Sequence, residues 1–456
     1  MLQQLKNHVL VQTFRELKGN PKWSICTEPL WFIPYSLFIP FQTLYMRKLG
    51  LSSVEIGTTV TVGFILQMFF ALIGGVITDK MGRRKATVIF DTLGWTVPCL
   101  IWAASQNFWW FLAAAAVNAA FQITNTSWNC LFIEDCPPKH ITNAFTLIQM
   151  CGMLSVFFSP LAVILVGTYD VVPVMRWLYF IAAISMLAKF LLLYYFGGET
   201  QVGKKRMEET KNLSYFSMMK GYGRVFLTMV KSGKMRLVVY FMALTNIIQI
   251  ATTNFFSLYV TEKIHLSDEL VAVFPVIRTL VMLAFVIGLQ NLFQKLRMKV
   301  SFLVGFLMYI ASHLLLLLTP EKNLLLVMGY TVLEAAAYAV IIPRKDALMA
   351  HYVDQKERSR IYALYNVLMI GISVPFGSLI GWMFELNPGF PFLFNIALFA
   401  FAFFLPCVPE TYPGWKKVLD KKCTFKNSGG SGVYTLPRHL EILNFILMTY
   451  QKSVQK

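Results

Sequence analysis

Apolar runs of about 20 residues recur along this chain, each ended by a short polar or charged stretch. A run of that length crosses a bilayer as an α-helix. Read this way, the chain carries twelve spans, at about 24–46, 58–77, 86–105, 108–133, 141–166, 173–196, 237–261, 270–289, 300–318, 324–349, 361–384 and 391–408. Between the sixth and seventh lies a charged stretch, 197–236. The pattern predicts an all-α membrane protein of two six-helix bundles, 21–196 and 237–408, joined by a linker over 197–236. A leading segment, 1–20, places Leu2, Leu5, Val9, Leu10, Phe14 and Leu17 at mostly helical spacing, as a short interfacial helix would. The tail, 409–456, is polar, with a flexible Ser428-Gly429-Gly430-Ser431-Gly432 stretch and then an apolar segment too short to span.

One turn stands out. Gly74-Gly75-Val76-Ile77-Thr78-Asp79-Lys80-Met81-Gly82-Arg83-Arg84-Lys85 joins spans 2 and 3 as a tight, basic hairpin. Its charge places it on the cytoplasmic side. Gly74 and Gly75 let a neighbouring helix come close, and Gly82 suits a turn that needs positive φ. This stretch resembles the signature loop of the major facilitator superfamily, Gly-x-Leu-x-Asp-Arg-x-Gly-Arg-Arg/Lys. Gly75, Asp79, Gly82, Arg83 and Arg84 stand on its positions, and Lys85 extends the basic run; Ile77 replaces Leu and Lys80 replaces the first Arg. The resemblance covers about 20–408 and implies twelve spans in two repeats, with a solute site between the halves.

Repeated sequence agrees with that layout. Leu51-Ser52-Ser53, a cap before span 2, returns about 215 residues later as Leu266-Ser267-Asp268 before span 8. A degraded copy of the hairpin ends at Leu296-Arg297-Met298-Lys299, with Phe293 in place of Asp79. Ala144-Phe145-Thr146-Leu147 returns as Ile361-Tyr362-Ala363-Leu364.

Composition narrows the function. The chain has 456 residues, 56% hydrophobic and 14% charged, which excludes a soluble globular domain. A formal net charge of +18 could mean nucleic acid, but most Lys and Arg fall in segments on one side of the spans. Arg47, Lys48, Arg176, Lys263 and Lys322 are the ones near the other side. That asymmetry orients a membrane protein with both termini and the linker cytoplasmic, and it makes the lipid bilayer the partner, not nucleic acid. The expected setting is the cytoplasmic (plasma) membrane, the expected state a monomer. No cleavable leader is expected, the first span serving as the targeting element. The seven cysteines are scattered, with no disulfide framework or metal-type spacing. No nucleophile–base set, phosphate loop or nucleotide-binding motif appears. An enzyme is not expected, nor a cofactor or metal, and active transport must draw on an ion gradient.

Candidate chemistry lies inside the spans. Asn118, Gln122, Asn125 and Asn129 share one face of span 4, and Asn246, Gln249, Thr253 and Ser257 share one face of span 7. Polar stripes avoid lipid, so these either line a wet cavity or bond helices together. Glu28, Asp91, Lys189, Arg278, Glu334, Arg344, Lys345 and Asp346 also fall within spans. Each costs ~2.5–3.5 kcal/mol at a bilayer centre and so requires a partner or water. Glu334 and Lys345 stand ~20° apart on one helix face, with Tyr338 between them. Lys189 and Arg344 are close enough to the basic end to snorkel, and Glu28 stands about one turn inside span 1. Glu28 and Asp91 are the candidates for binding and releasing a proton. The alternative is a fixed salt bridge, to Arg278 or Lys345 for example. Trp31, Arg278, Glu334, Tyr338 and Lys345 join the polar stripes as candidate cavity residues. Span 1 contains Pro29, Pro34 and Pro40, which free backbone carbonyls and kink a helix.

Two further features follow from the family resemblance. It implies a cytoplasmic latch of Asp79 and Arg83 with Glu134 or Asp135, holding the outward-facing state. Exporters of the family often carry Gly-Pro-x-x-Gly-Gly in span 5, where this chain has Ser159-Pro160, with Val163 and Ile164 on the last two positions. The expectation is a secondary transporter that moves a small organic solute by alternating access, coupled to protons. Efflux is favoured by the signature loop and the aromatic span 1 (Trp31, Phe32, Tyr35, Phe38). Uptake of a sugar or similar metabolite suits the mixed-sign charges with Trp31, Trp95 and Trp128. A non-transporting membrane sensor on the same fold is the rival from another class.

Overall fold

The structure, a computed structural model, describes residues 9–214, 217–218, 233–285, 298–352 and 358–404. The described residues are helical throughout and belong to one compact unit, Met1–Val408. The tail from Pro409 and the degraded hairpin copy at 286–297 lie outside the described residues. Among the described residues, helices occupy each of the expected spans, with 286–289 and 405–408 outside them. Among the same residues, seven stretches are long and apolar enough to cross a membrane unaided, Ser53–Met81 and Val171–Phe196 among them. Spans 1 and 4 are broken into shorter pieces, so neither qualifies as a single long helix.

The breaks have chemical causes. Span 1 comprises Gly19–Thr27, Pro29–Phe38 and Gln42–Lys48, divided at Glu28 and at a tight turn around Pro40. A proline leaves the carbonyl four residues earlier without its usual donor. Pro34 frees the Leu30 carbonyl, and Ser185 of span 6 donates to it at 2.7 Å. Pro40 frees the Ser36 carbonyl, and Ser159 of span 5 donates to it at 3.1 Å. Pro98 frees the Gly94 carbonyl, and Asn118 of span 4 donates to it at 2.6 Å. Ser159 therefore has a task that a glycine could not perform. Span 3 is not one regular helix: a π-helical turn, Thr92–Thr96, follows directly after Asp91. Span 4 is divided into Phe108–Asn118 and Phe121–Glu134 where Gly94 brings span 3 against Phe121.

Alternate turns fall at opposite ends of the body. We call these the hairpin end, at Gly82, and the Leu49 end. Gly82 has φ +85°, as the short turn requires, and Gly74 lies against the backbone of Ile123. At the Leu49 end Ser52 and Glu55 form a reciprocal capping box that starts span 2. The related Ser267 makes no side-chain cap, and Leu270 stands where Glu55 completes the first copy's capping box; Asp268 beside it pairs with Lys48.

The two halves cross most closely where spans 2 and 11 meet. A Cβ at Gly57 would collide with the Gly377 carbonyl and Gly381. Thr61 accepts from the Ser378 amide at 2.8 Å and donates to the Val374 carbonyl at 3.0 Å. The Ser53 amide donates to Glu385 at 2.9 Å. Toward the Leu49 end Thr43 and Ser257 share a 2.7 Å hydrogen bond, Arg47 pairs with Glu262 at 2.6 Å, and Lys48 pairs with Asp268 at 2.6 Å. A core containing Phe38, Phe41, Phe255 and Phe384 joins the halves there.

Two expectations for the periphery change. The leading helix, Val9–Glu16, docks on the body instead of resting on lipid alone. Thr13 and Glu16 both contact His140, at 3.3 and 2.8 Å, and Leu17 is fully buried. The linker is partly folded, with a helix at Gln201–Thr210 that Thr200 caps through the Gly203 amide at 2.8 Å.

Candidate functional site

Each half holds an ion pair made from two spans with a buried carboxylate. In the first half Lys189 Nζ donates to Glu28 at 3.0 Å, and both side chains are 6% exposed. Lys189 pairs inside the bundle and so does not snorkel, and the helix Gly19–Thr27 continues span 1 ahead of Glu28. Lys189 also stands 5.8 Å from the Trp31 ring. Trp31 stacks on Tyr35 at 4.6 Å and meets Trp95 edge-on at 4.9 Å. Asp91 is buried, within the fields of Lys189 and Glu28. Span 6 thus supplies the cation that spans 1 and 3 lack.

In the second half Arg278 of span 8 pairs with Glu334 of span 10 at 3.1 Å. Glu334 is buried, and its Oε1 makes no hydrogen bond of proper angle with the guanidinium. Arg278 is partly exposed and stacks over Tyr338 at 4.7 Å. So the acid partner of Arg278 comes from its own half. The backbone of span 10 extends through Tyr352, but the side chains of Arg344, Lys345 and Asp346 lie outside the described residues, so the expected Glu334–Lys345 face does too.

The polar stripes divide between bonding and lining. On span 4 a ladder of amides runs from Gln67 of span 2. Gln122 donates to Gln67 at 3.2 Å, Asn125 donates to Gln122 at 2.9 Å, and Asn129 donates to the Asn125 carbonyl at 2.6 Å. Asn125 is exposed although it lies in mid-span. On span 7 Thr253 is exposed and Asn246 and Gln249 are half-buried, whereas Ser257 is buried against Thr43. Asn125 and Thr253 are thus exposed polar groups halfway along two apolar helices. A separate polar network inside the second half was not legible from spacing. His313 of span 9 is fully buried, contacts the Tyr309 carbonyl at 3.0 Å, and meets Asn395 of span 12 at 3.3 Å.

At the hairpin end the acids and bases converge. Arg83 donates to Asp79 at 2.9 Å and to Glu134 at 3.1 Å. Asp135 turns away and accepts from Asn20 at 2.6 Å. The linker completes the cluster. Glu199 accepts from the Arg83 and Arg84 amides at 2.8 and 2.9 Å, capping the N-terminus of span 3. Arg206 pairs with Asp79 at 2.8 Å, and Thr200 bonds to Glu134. Arg84 donates to the Gly197 carbonyl at 3.1 Å and stacks on Tyr194, while Lys85 is exposed and Gly75 half-buried. The hydrophobic pattern gives no sign of this linker contact; the Thr200-x-x-Gly203 cap is the one local signal for its helix.

A sequence profile described as Major Facilitator Superfamily matches residues 30–320 and 239–422, most of the chain. The chain belongs to the major facilitator superfamily. A comparison with curated proteins gives no match. Among solved structures, the chain is similar to a mutant form of the nucleoside transporter NupG, with 14% identity and a TM-score of 0.68 over 84% of this chain and 99% of that one. It is similar to a POT family transporter in complex with a thioalcohol-conjugated peptide, with 14% identity and a TM-score of 0.66 over 86% and 98%. It is also similar to the human organic anion transporter MFSD10, with 15% identity and a TM-score of 0.57 over 84% and 98%. At these identities the likeness establishes the superfamily fold.

Proposed function

We propose that the chain is a secondary transporter that moves a small organic solute by alternating access between its two halves. The observation that carries this reading is an ion pair with a buried carboxylate in each half, together with exposed polar groups on spans 4 and 7. Among the described residues, the bonds joining the halves gather toward the Leu49 end. At the hairpin end, the first half bonds to the linker. This arrangement fits a state closed at the Leu49 end. By the placement of basic residues, the hairpin end is cytoplasmic.

Coupling is assigned to protons, through Asp91. Glu28 holds Lys189 at 3.0 Å, so Asp91 is left as the second acid beside one cation. Two carboxylates sharing one lysine cannot both be neutralised by it, and a proton on one balances the set. The π-helical turn beside Asp91 gives span 3 a deformable joint at the same point. The latch is assigned to Asp79, Arg83 and Glu134.

The test is flux in proteoliposomes carrying a pH gradient. Wild type should accumulate or extrude solute with the gradient, the sign separating symport from the antiport that the hairpin's likeness to exporters favours. Asp91→Asn should abolish gradient-driven movement but spare exchange at equal concentrations. Full gradient-driven transport in that variant would remove Asp91 from the role. No flux at all from well-folded protein would favour the membrane-sensor reading.

A further inference from the structure

A cavity of about 270 Å³ opens among spans 1, 2, 3 and 4 of the first half, with Asn254 of span 7 at its wall. It falls just below the range of ~300–1,000 Å³ usual for small-molecule pockets, so it suits a compact solute. Its polar lining is Gln42 and Thr43 from span 1, Thr59 and Gln67 from span 2, Asn118 from span 4 and Asn254 from span 7. No charged side chain lines it.

The free hydrogen-bonding capacity in this lining is both donor and acceptor. Asn118 gives one N–H of its amide to the Gly94 carbonyl, and Asn254 gives one to the Ile250 carbonyl at 2.9 Å. Each keeps a second N–H and its Oδ1 as an acceptor. Gln67 accepts from Gln122 through Oε1, which leaves its NH₂ to donate. Gln42 has no side-chain partner among the described residues and offers both kinds. Hydroxyl groups donate and accept at once and match such a mixed array. A carboxylate or ammonium would meet half its neighbours with the wrong polarity and find no counter-ion in the lining. Among the described residues, Lys189 is paired with Glu28 and Arg278 with Glu334, and Asp91 does not line the cavity.

We infer that this cavity is the solute's seat, and that the solute is a neutral, hydroxyl-bearing molecule of the size of a sugar or nucleoside. The inference rests on the transporter reading. It adds a mechanism for closure. Asn254 is the contribution of the second half, and Thr43 beside it bonds Ser257 of span 7. A solute touching both halves binds the Leu49-closed state better than a state in which they part. That difference in affinity is what drives closure.

The experiment is counterflow of radiolabelled D-glucose, D-ribose and uridine, against glycine and lactate as charged probes, with the full chain in proteoliposomes. At least one neutral probe should exchange, and Gln42→Leu and Asn254→Leu should each lower that exchange at least ~10-fold. Neither side chain bonds to another span, so both variants should melt close to wild type. Trp102, which faces the cavity, should report saturable quenching by the same probe in wild type and not in the variants. Exchange of glycine or lactate without any neutral probe overturns the inference and leaves the transporter reading standing. Exchange of a neutral probe untouched by both substitutions overturns the site. Failure of every probe with folded, monodisperse protein removes the inference and the transporter reading together.

Discussion

Glu28 and Lys189, 161 positions apart, meet at 3.0 Å where almost no solvent reaches either. One comes from the proline-rich joint of span 1 and the other from the middle of span 6. A buried pair of this kind is costly to break because removing one partner strands the other charge. Lys189→Met should therefore destabilise the protein by ~3–5 kcal/mol, since it leaves Glu28 buried without its cation. Adding Glu28→Gln should recover most of that loss, since the stranded charge is then gone. Thermal unfolding in detergent reads both. A single variant as stable as wild type would show that the pair does not hold spans 1 and 6 together.

The same pair shows what a sequence can and cannot disclose. Apolar runs of the right length reveal the spans, and the hairpin from Gly74 to Lys85 reveals the family. Period and composition are local properties, and the chain spells them out. Partnership is not local. Lys189 reads as a snorkelling cation because its own span contains no acid, and only packing brings Glu28 to it. Asn118 reads as a cavity residue, but half of its amide serves the carbonyl that Pro98 frees. Ser159 reads as a loss of the exporter glycine, and its purpose lies in span 1. The linker's grip on Asp79 and Arg83 crosses over a hundred residues and leaves no periodic trace.

Spans 2 and 11 touch backbone to backbone at glycines. Gly57→Leu would drive a side chain into the Gly377 carbonyl and Gly381, neither of which can rotate away. The halves should separate at the Leu49 end. A disulfide engineered between Thr43→Cys and Ser257→Cys should form readily in the parent and several-fold more slowly with Gly57→Leu present. Equal rates would mean that the crossing tolerates a side chain there.

Glu134 and Asp135 are neighbours with different tasks. Glu134 bonds Arg83 and Thr200, so Glu134→Gln should loosen the hairpin cluster and cut transport. Asp135 bonds only Asn20 among the described residues, and burial, aided by the charge of Glu134, raises its carboxyl above the usual range. A raised carboxyl binds its proton more tightly in the folded state. Its favourable contribution is complete at low pH and is lost as pH rises through the folded value. Asp135→Asn keeps an acceptor for Asn20 and removes that loss, so at neutral pH it should be neutral or slightly stabilising. The gap between variant and wild type should narrow as pH is lowered toward 4. Transport lost in Asp135→Asn and kept in Glu134→Gln would reverse the assignment.

Arg47–Glu262 and Lys48–Asp268 close the Leu49 end with four charges drawn from both halves. Hydrogen bonding to Asp268 raises the Lys48 ammonium, so that pair persists through neutral pH. Each side chain is between about a quarter and two-fifths exposed, so a single pair is worth at most ~1 kcal/mol. Folding should survive their loss. The balance between open and closed states should not, because a shift of one or two kcal/mol changes a population ratio ~5- to 30-fold. Arg47→Ala with Lys48→Ala should therefore raise labelling of a cysteine placed at Thr43 from the Leu49 side. The swap Arg47→Glu with Glu262→Arg should restore closure, and Arg47→Glu alone should exceed the alanine effect by adding repulsion. Raising salt should reproduce part of the alanine phenotype in wild type, since partly exposed pairs are screened. If labelling at Thr43 is the same in wild type, alanine and charge-reversed proteins, then the aromatic core beneath, and not the ion pairs, keeps this end shut.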